Sequence, residues 1–291
     1  MHKAVAFLAP KKTRKFEDFY VEWIDALDVT LLPVLNGSGA GITEAFLASH
    51  VDRIHQHFQN YYTALDAAVI SCPHRHLPLL LHPPWFSPLQ VPFLFLGDLH
   101  PFLLTTLLRS FVLDRDDEDG ETDLDEDGGQ SDMKSPPSEY YHEEGPDDDD
   151  DAREIHDVHR RMATAWKRPS GVLISRIGEM ERWVRRMVPD LTSRVRVSQH
   201  RFAEKLGKRL DMYEEDGNGL GVREAAEEEM KEMVTAFLEG NRLRRSVMEE
   251  IMRATDAYQA ASYFQALGQF IVGLRDKKVV EKSEQYMLVL P

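Results

Sequence analysis

Residues 92–113 read PFLFLGDLHPFLLTTLLRSFVL, a long apolar run punctured by Asp98, His100 and Arg109. A membrane span, a catalytic Asp-x-His site and the core of a helical domain all compete for it. At 22 residues it is long enough to cross a bilayer. Asp98 and Arg109, however, lie well inside it, and each costs roughly 2.5–3.5 kcal/mol at the middle of a membrane helix. Gly97 and Pro101 interrupt it as well. Pro101 suits the first position of a new helix, where its missing N–H is harmless. The helix that follows, Phe102 to Leu113, is apolar on nearly every side and is expected at the centre of a bundle. The run therefore reads as core.

Outward from it, the flanks are helical. Phe16, Phe19, Tyr20, Trp23, Ile24, Leu27 and Leu31 fall at the three- and four-residue intervals of an amphipathic helix. NGSGAG (36–41) breaks the chain. A second helix then carries Ile42, Phe46, Leu47, Val51, Ile54, Phe58, Tyr61, Tyr62 and Leu65 on one face. Prolines make 72–92 an irregular packed connector. Residues 152–212 are helical again, with breaks expected at Pro169–Gly171 and Pro189. A helix from Val222 to Gly240 precedes another, and the last is strongly patterned through Tyr263, Phe264, Leu267, Phe270 and Ile271. No run requires a strand. The expected fold class is all-α, a single helical bundle over 16–278, with a basic tail at 1–15 and a C-terminal tail at 279–291.

Charge divides the chain sharply. The net charge is −15, yet residues 114–151 hold 19 Asp and Glu against Arg115 and Lys134, or −17, leaving about +2 elsewhere. With almost no large apolar side chains, that stretch cannot offset its ordering entropy and is expected to be a disordered acidic insert. Residues 152–213 carry +8 immediately after it. The acidic Asp147, Asp148, Asp149, Asp150 and Asp151 and the basic Arg182, Arg185, Arg186, Arg194 and Arg196 are therefore the candidate interaction residues, the first set folding over the second or docking a partner.

Chemistry finds little purchase. The frame Asp123–Asp125–Asp127–Gly128 resembles a calcium loop, but its twelfth position is Lys134, and the overlapping frame begins at Arg115. His50 and His57 are about 10 Å apart along a helix, too far to share a metal. His156 and His159 lack a third ligand and sit among arginines. Asp98 and His100 have no nucleophile motif beside them, and an Asp near a helix start explains the same letters. GSGAG (37–41) lacks the following Gly-Lys-Ser/Thr of a phosphate loop. The lone Cys72 excludes an internal disulfide. No catalytic residue, cofactor or metal is expected. Nor is direct nucleic-acid binding, since the adjacent polyanion competes and no recognition motif is present. Lys11, Lys12, Arg14 and Lys15 add about 1 kcal/mol each toward an anionic membrane, enough only for transient contact.

FEDFYVEWIDAL, the Tyr61–Tyr62 pair, Trp85 followed by PFLFLGDLHP, and YQAASYFQALGQFIVGLRD resemble, in that order, the delay-of-germination (DOG) domain of plants. Phe16, Phe19, Trp23, Tyr61, Tyr62, Trp85, Gly97, Asp98, His100 and Pro101 are the core and motif residues of that match. LLPVL, the His50–Tyr62 stretch and FLFLGDLHPFLLTTLLRSF are most similar to family members that mark plasma-membrane sites where pollen-wall deposition is withheld. The resemblance implies a non-enzymatic interaction protein. Its expected partners are other proteins, with homo-oligomers among them, and its expected location is the cytoplasm with recruitment to the plasma membrane. Nuclear co-regulators acting with bZIP factors form another branch of the family, although this chain has no bZIP segment. A further alternative is a lipid or haem pocket near Trp85, Phe93 and Phe95, for which no family histidines can be matched.

Overall fold

The computed structural model describes residues 16–35, 43–71, 77–113, 160–210, 220–276 and 280–281. The acidic insert, the two calcium-loop frames, His156, His159, Cys72, GSGAG, Ile42, the basic tail and all of the C-terminal tail but 280–281 lie outside those residues.

The first amphipathic pattern folds as α1 (Phe16–Ala26), with Tyr20, Trp23 and Ile24 buried. It passes into a π-helical turn, Leu27–Leu31, and ends as α2 (Leu32–Leu35). α3 (Glu44–Ser71) buries Leu47, Val51, Ile54, Phe58, Tyr61, Tyr62 and Leu65 of the predicted face, and Val69 beyond it, but Phe46, expected on that face, is 46% exposed in the first turn of the helix. The described part of the proline-rich connector, from residue 77, is irregular except for α4 (Leu77–Leu81) and a 3-10 turn at Val91–Phe93. Ser87 Oγ ties it to the Leu274 carbonyl at 2.5 Å.

The expectation of no strand fails locally. Leu94–Phe95 (β1) pairs antiparallel with Asp98–Leu99 (β2), Leu94 opposite Leu99 and Phe95 opposite Asp98. Leu96 (φ 48°) and Gly97 (φ 81°) form the two-residue turn. Two successive positive φ values match the right-handed twist of a tight hairpin. Two-residue strands are too short to register as alternation in the sequence.

α5 (Pro101–Leu113) starts on Pro101 as predicted. It is not at the centre of the bundle. Leu104, Thr105 and Leu108 are buried against neighbouring helices, but Leu103, Leu107, Phe111 and Val112 are only half-buried. α6 (Gly171–Leu210) begins after the predicted break at Pro169–Gly171 and then runs through Pro189. Pro189 is exposed, so water can satisfy the carbonyl it frees, while Val184, Val188 and Leu191 hold the helix to the body. α7 (Leu220–Ala254) likewise runs through Gly240, which permits close contact rather than ending the helix: a Cβ there would lie 3.3 Å from Leu96 Cδ1. α8 (Ala257–Gly273) opens with a reciprocal cap, in which Asp256 Oδ1 accepts from Gln259 N–H at 2.9 Å and Gln259 Oε1 accepts from Asp256 N–H at 3.2 Å.

α6 and α7 form a long hairpin. α3 and α5 pack on it, α8 packs on α3 and α5, and α1 and α2 lie across α3 and α8. One continuous cluster of buried side chains extends from Tyr20 to Ile271. α1 and α8 thus enter one core, and the fold is the expected all-α bundle.

Candidate interaction site

The motif residues converge. Trp23 of α1 packs on Tyr61 of α3 at 4.6 Å between ring centroids, and Tyr61 meets Tyr62 edge-on at 5.1 Å. Phe16 touches Phe19, Tyr61 and Trp85 at 5.6, 5.8 and 5.7 Å. Histidines pin this unit. Trp23 Nε1 donates to the His57 carbonyl at 3.0 Å and His57 Nε2 donates to the Trp23 carbonyl at 2.9 Å, with the rings stacked at 6°. His50 Nε2 donates to the Leu31 carbonyl at 2.8 Å, holding the π-helical turn. Burial pushes both imidazoles below their usual pKa. These histidines hold the fold together.

Beside the aromatics, α7 clamps the hairpin. Arg244 is fully buried, with 0% of its surface exposed. Its Nε donates to the Leu99 carbonyl at 2.6 Å, and its Nη2 donates to the carbonyls of Phe95 and Asp98. Its Nη1 donates to Asn241 Oδ1 at 2.8 Å, and Asn241 Nδ2 donates to Asp66 Oδ1 of α3 at 2.8 Å. Arg245 reaches the other oxygen of Asp66 at 2.6 Å. One arginine thus satisfies a hairpin whose strands are too short to satisfy themselves.

Asp98 is the counter-charge. It does not sit at a helix start, as expected from the sequence; it lies on β2, 4% exposed. Its Oδ1 accepts the Leu99 N–H at 2.6 Å. Burial raises its pKa, opposed by Arg244, by that N–H and by the facing Tyr61 hydroxyl. The same burial, with the Asp98 charge nearby, pushes Tyr61 and Tyr62 well above the usual phenol range. His100 takes the helix-start role: its Nδ1 accepts the Phe102 N–H at 3.2 Å, capping α5. Asp98 and His100 therefore serve different backbone groups and do not form an orienter–base pair. Gly97 fits because nothing larger does: a Cβ would stand 2.4 Å from both the Leu80 carbonyl oxygen and Phe237 Cε2.

Trp85, Phe93 and Phe95 each pack against other aromatic side chains. Phe93 packs on Phe270 at 5.4 Å, and Phe95 lies against His100 at 5.0 Å. Trp85 packs on Phe16 and Phe86 instead. The cavity between the aromatics and Asp98 holds about 20 Å³, room for a water molecule and no more. Among the described residues, no three His, Cys, Asp or Glu side chains cluster to hold a metal ion, and no helix is long and apolar enough to cross a membrane.

The basic candidates all lie on α6, and Arg182, Arg185, Arg186, Arg194 and Arg196 are all exposed. Arg194 leaves the group, because it pairs with Glu239 of α7. The other four make no ion pair with another described residue. Glu181, next to Arg182, is taken by Arg109 of α5 through two bonds of 2.9 and 2.6 Å.

The helical frame and the clamped hairpin belong to the DOG class: residues 31–110, from the π-helical turn to α5, match the DOG1 family model, described as seed dormancy control. Over almost its whole length the chain is similar to two named proteins. It is 36% identical over 301 residues to INAPERTURATE POLLEN1 of Arabidopsis thaliana, covering 98% of each. It is 27% identical over 284 residues to the INAPERTURATE POLLEN 1 homolog of Oryza sativa subsp. japonica, covering 95% of this chain and 91% of that one. The chain belongs to the inaperturate-pollen family of DOG-domain proteins.

Proposed function

We propose that this protein is a non-catalytic interaction factor that specifies pollen aperture sites at the plasma membrane. One observation carries the reading: the 36% identity, over 98% of both chains, to a protein named for pollen that lacks apertures. The interior supports the non-catalytic part. Its polar groups hold backbone: Arg244 holds the hairpin, His100 caps α5, and His50 and His57 pin α1 and its π-helical turn. The free charges are outside, on α6, where a protein partner or a lipid surface meets them.

The test is complementation. The chain, fused to a fluorescent protein, is expressed in Arabidopsis plants lacking INAPERTURATE POLLEN1. Restored apertures beneath cortical puncta are the expected result. Well-expressed protein that stays diffuse and leaves pollen without apertures would overturn the reading; nuclear accumulation with a bound bZIP factor would replace it with the co-regulator function.

A further inference from the structure

α6 carries two kinds of arginine. Arg176 and Arg194 reach across to α7, to the Arg253 carbonyl and to Glu239. Arg182, Arg185, Arg186 and Arg196 face solvent. With 3.6 residues per turn, these four share a strip about 100° wide and about 21 Å long. Between residues 175 and 200 the other positions on that strip are Ser175, Gly178, Pro189, Ser193 and His200, so it contains no carboxylate. Like charges three and four residues apart repel by a few tenths of a kcal/mol per pair. Glu181, already bound to Arg109, also feels Arg182 and Arg185 from beside the strip, so one shared carboxylate faces several arginines and the strip keeps an excess of positive charge that attracts an anion.

We propose that this face docks the chain's own acidic run, residues 114–151. Three features select that occupant. The run carries −17, and residues 152–213 carry +8. It starts where it is needed: α5 ends at Leu113, four residues beyond Arg109, which is bound to Glu181 of α6 next to Arg182. Leu113 is therefore within a few helical turns of Arg182. Length is sufficient, since a 38-residue segment spans on the order of 130 Å when extended. Tethering also holds the run at an effective concentration near the millimolar range, which a free polyanion rarely reaches. Exposed pairs of this kind are individually weak and screened by salt. The contact is thus one that a more strongly charged partner displaces. It holds whether or not the chain acts at pollen apertures.

Arginine footprinting on the full-length protein tests this. Phenylglyoxal modification is followed by mass spectrometry at about 20 mM and about 0.5 M salt, a range over which the screening length falls several-fold. Arg53 and Arg242, exposed on α3 and α7, serve as internal references. At low salt the four strip arginines are expected to react several-fold more slowly than the references. The difference should vanish at high salt, and at low salt when all the carboxylates of 114–151 are changed to amides in the full-length chain. Asp147–Asp151 changed alone to Asn should give partial release. Equal rates at low salt, or protection that survives the amide substitutions, overturn the proposal. Protection lost on dilution also overturns it, because the occupant is then a second copy.

Discussion

Two sets of arginines, on neighbouring helices, meet opposite fates. Arg244 on α7 is sealed inside and gives its donors to three hairpin carbonyls and Asn241. Arg182, Arg185, Arg186 and Arg196 on α6 stand in solvent and form no ion pair with a described residue, although Glu181 lies within the field of Arg182 and Arg185. Desolvating a guanidinium costs several kcal/mol and is tolerable only when its donors and charge are answered. Arg244 has both, from the carbonyls and from Asp98. Its role is architectural: it lets a loop with two-residue strands enter the core. Exposed side chains without an ion pair contribute little to folding, and the binding role proposed for these four rests on that contrast with Arg244.

The comparison is broken most directly at Arg244. Arg244→Met leaves three carbonyls and the Asp98 carboxylate buried without an answering charge, and should cost about 3–5 kcal/mol, read from the midpoint of urea unfolding. A loss below about 1 kcal/mol would place Arg244 with the surface arginines. Gly97→Ala comes next. The added methyl collides with the Leu80 carbonyl and the Phe237 ring at 2.4 Å while φ stays at +81°. Backbone cannot yield as a flexible side chain does, so about 3 kcal/mol is expected from overpacking and left-handed strain together.

A pH titration sharpens the same division. His50, His55, His57 and His100 have their pKa lowered, chiefly by burial. The unfolded chain, with histidines near 6.5, then binds protons before the folded one does. Stability should be level above about pH 6.5 and decline as pH falls below it, flattening once the folded imidazoles are also protonated. Asp98 acts in the opposite sense at lower pH, because its folded pKa is raised above 3.8. Urea midpoints between pH 7.5 and 5 should show the decline, and His50→Gln with His57→Gln should flatten it. An equal decline in that double variant would remove the pinning role assigned to these two rings.

Much of this was legible before the structure, and the omissions share a cause. Long amphipathic helices announce themselves by period, so α1, α3 and α8 lie where their apolar residues predict. Gly97, Pro101 and the tyrosine pair, which the sequence groups by motif, lie in or beside the clamped hairpin and its aromatic neighbours. Arg244 was missed, although a signal existed: Phe237, Asn241, Arg244, Met248 and Ile251 recur every three or four residues, which places an arginine and an asparagine on a buried face. Charge composition hides such a residue, since one arginine among many reads as surface. Pro189 and Gly240 were over-read as helix ends, because their tolerance depends on what lies beside them: solvent for the proline and Leu96 for the glycine. Asp98 was given the role of His100, since a sequence shows that a cap is needed near Pro101 and not which side chain supplies it.

The smallest effect on stability is expected where the functional claim is largest. Arg182, Arg185, Arg186 and Arg196 changed together to Gln should leave the urea midpoint within about 0.5 kcal/mol of the parent, the usual span for surface substitutions. Glutamine keeps helix propensity close to that of arginine, and removing three- and four-residue repulsions offsets what propensity is lost. A clear gain in stability would show that the strip is unneutralised in the parent protein, contrary to the docked acidic run. A loss of about 2 kcal/mol or more would put these side chains among the architectural arginines and dissolve the distinction drawn from Arg244. No change in stability, together with loss of cortical fluorescence in pollen, would keep fold and function on separate helices.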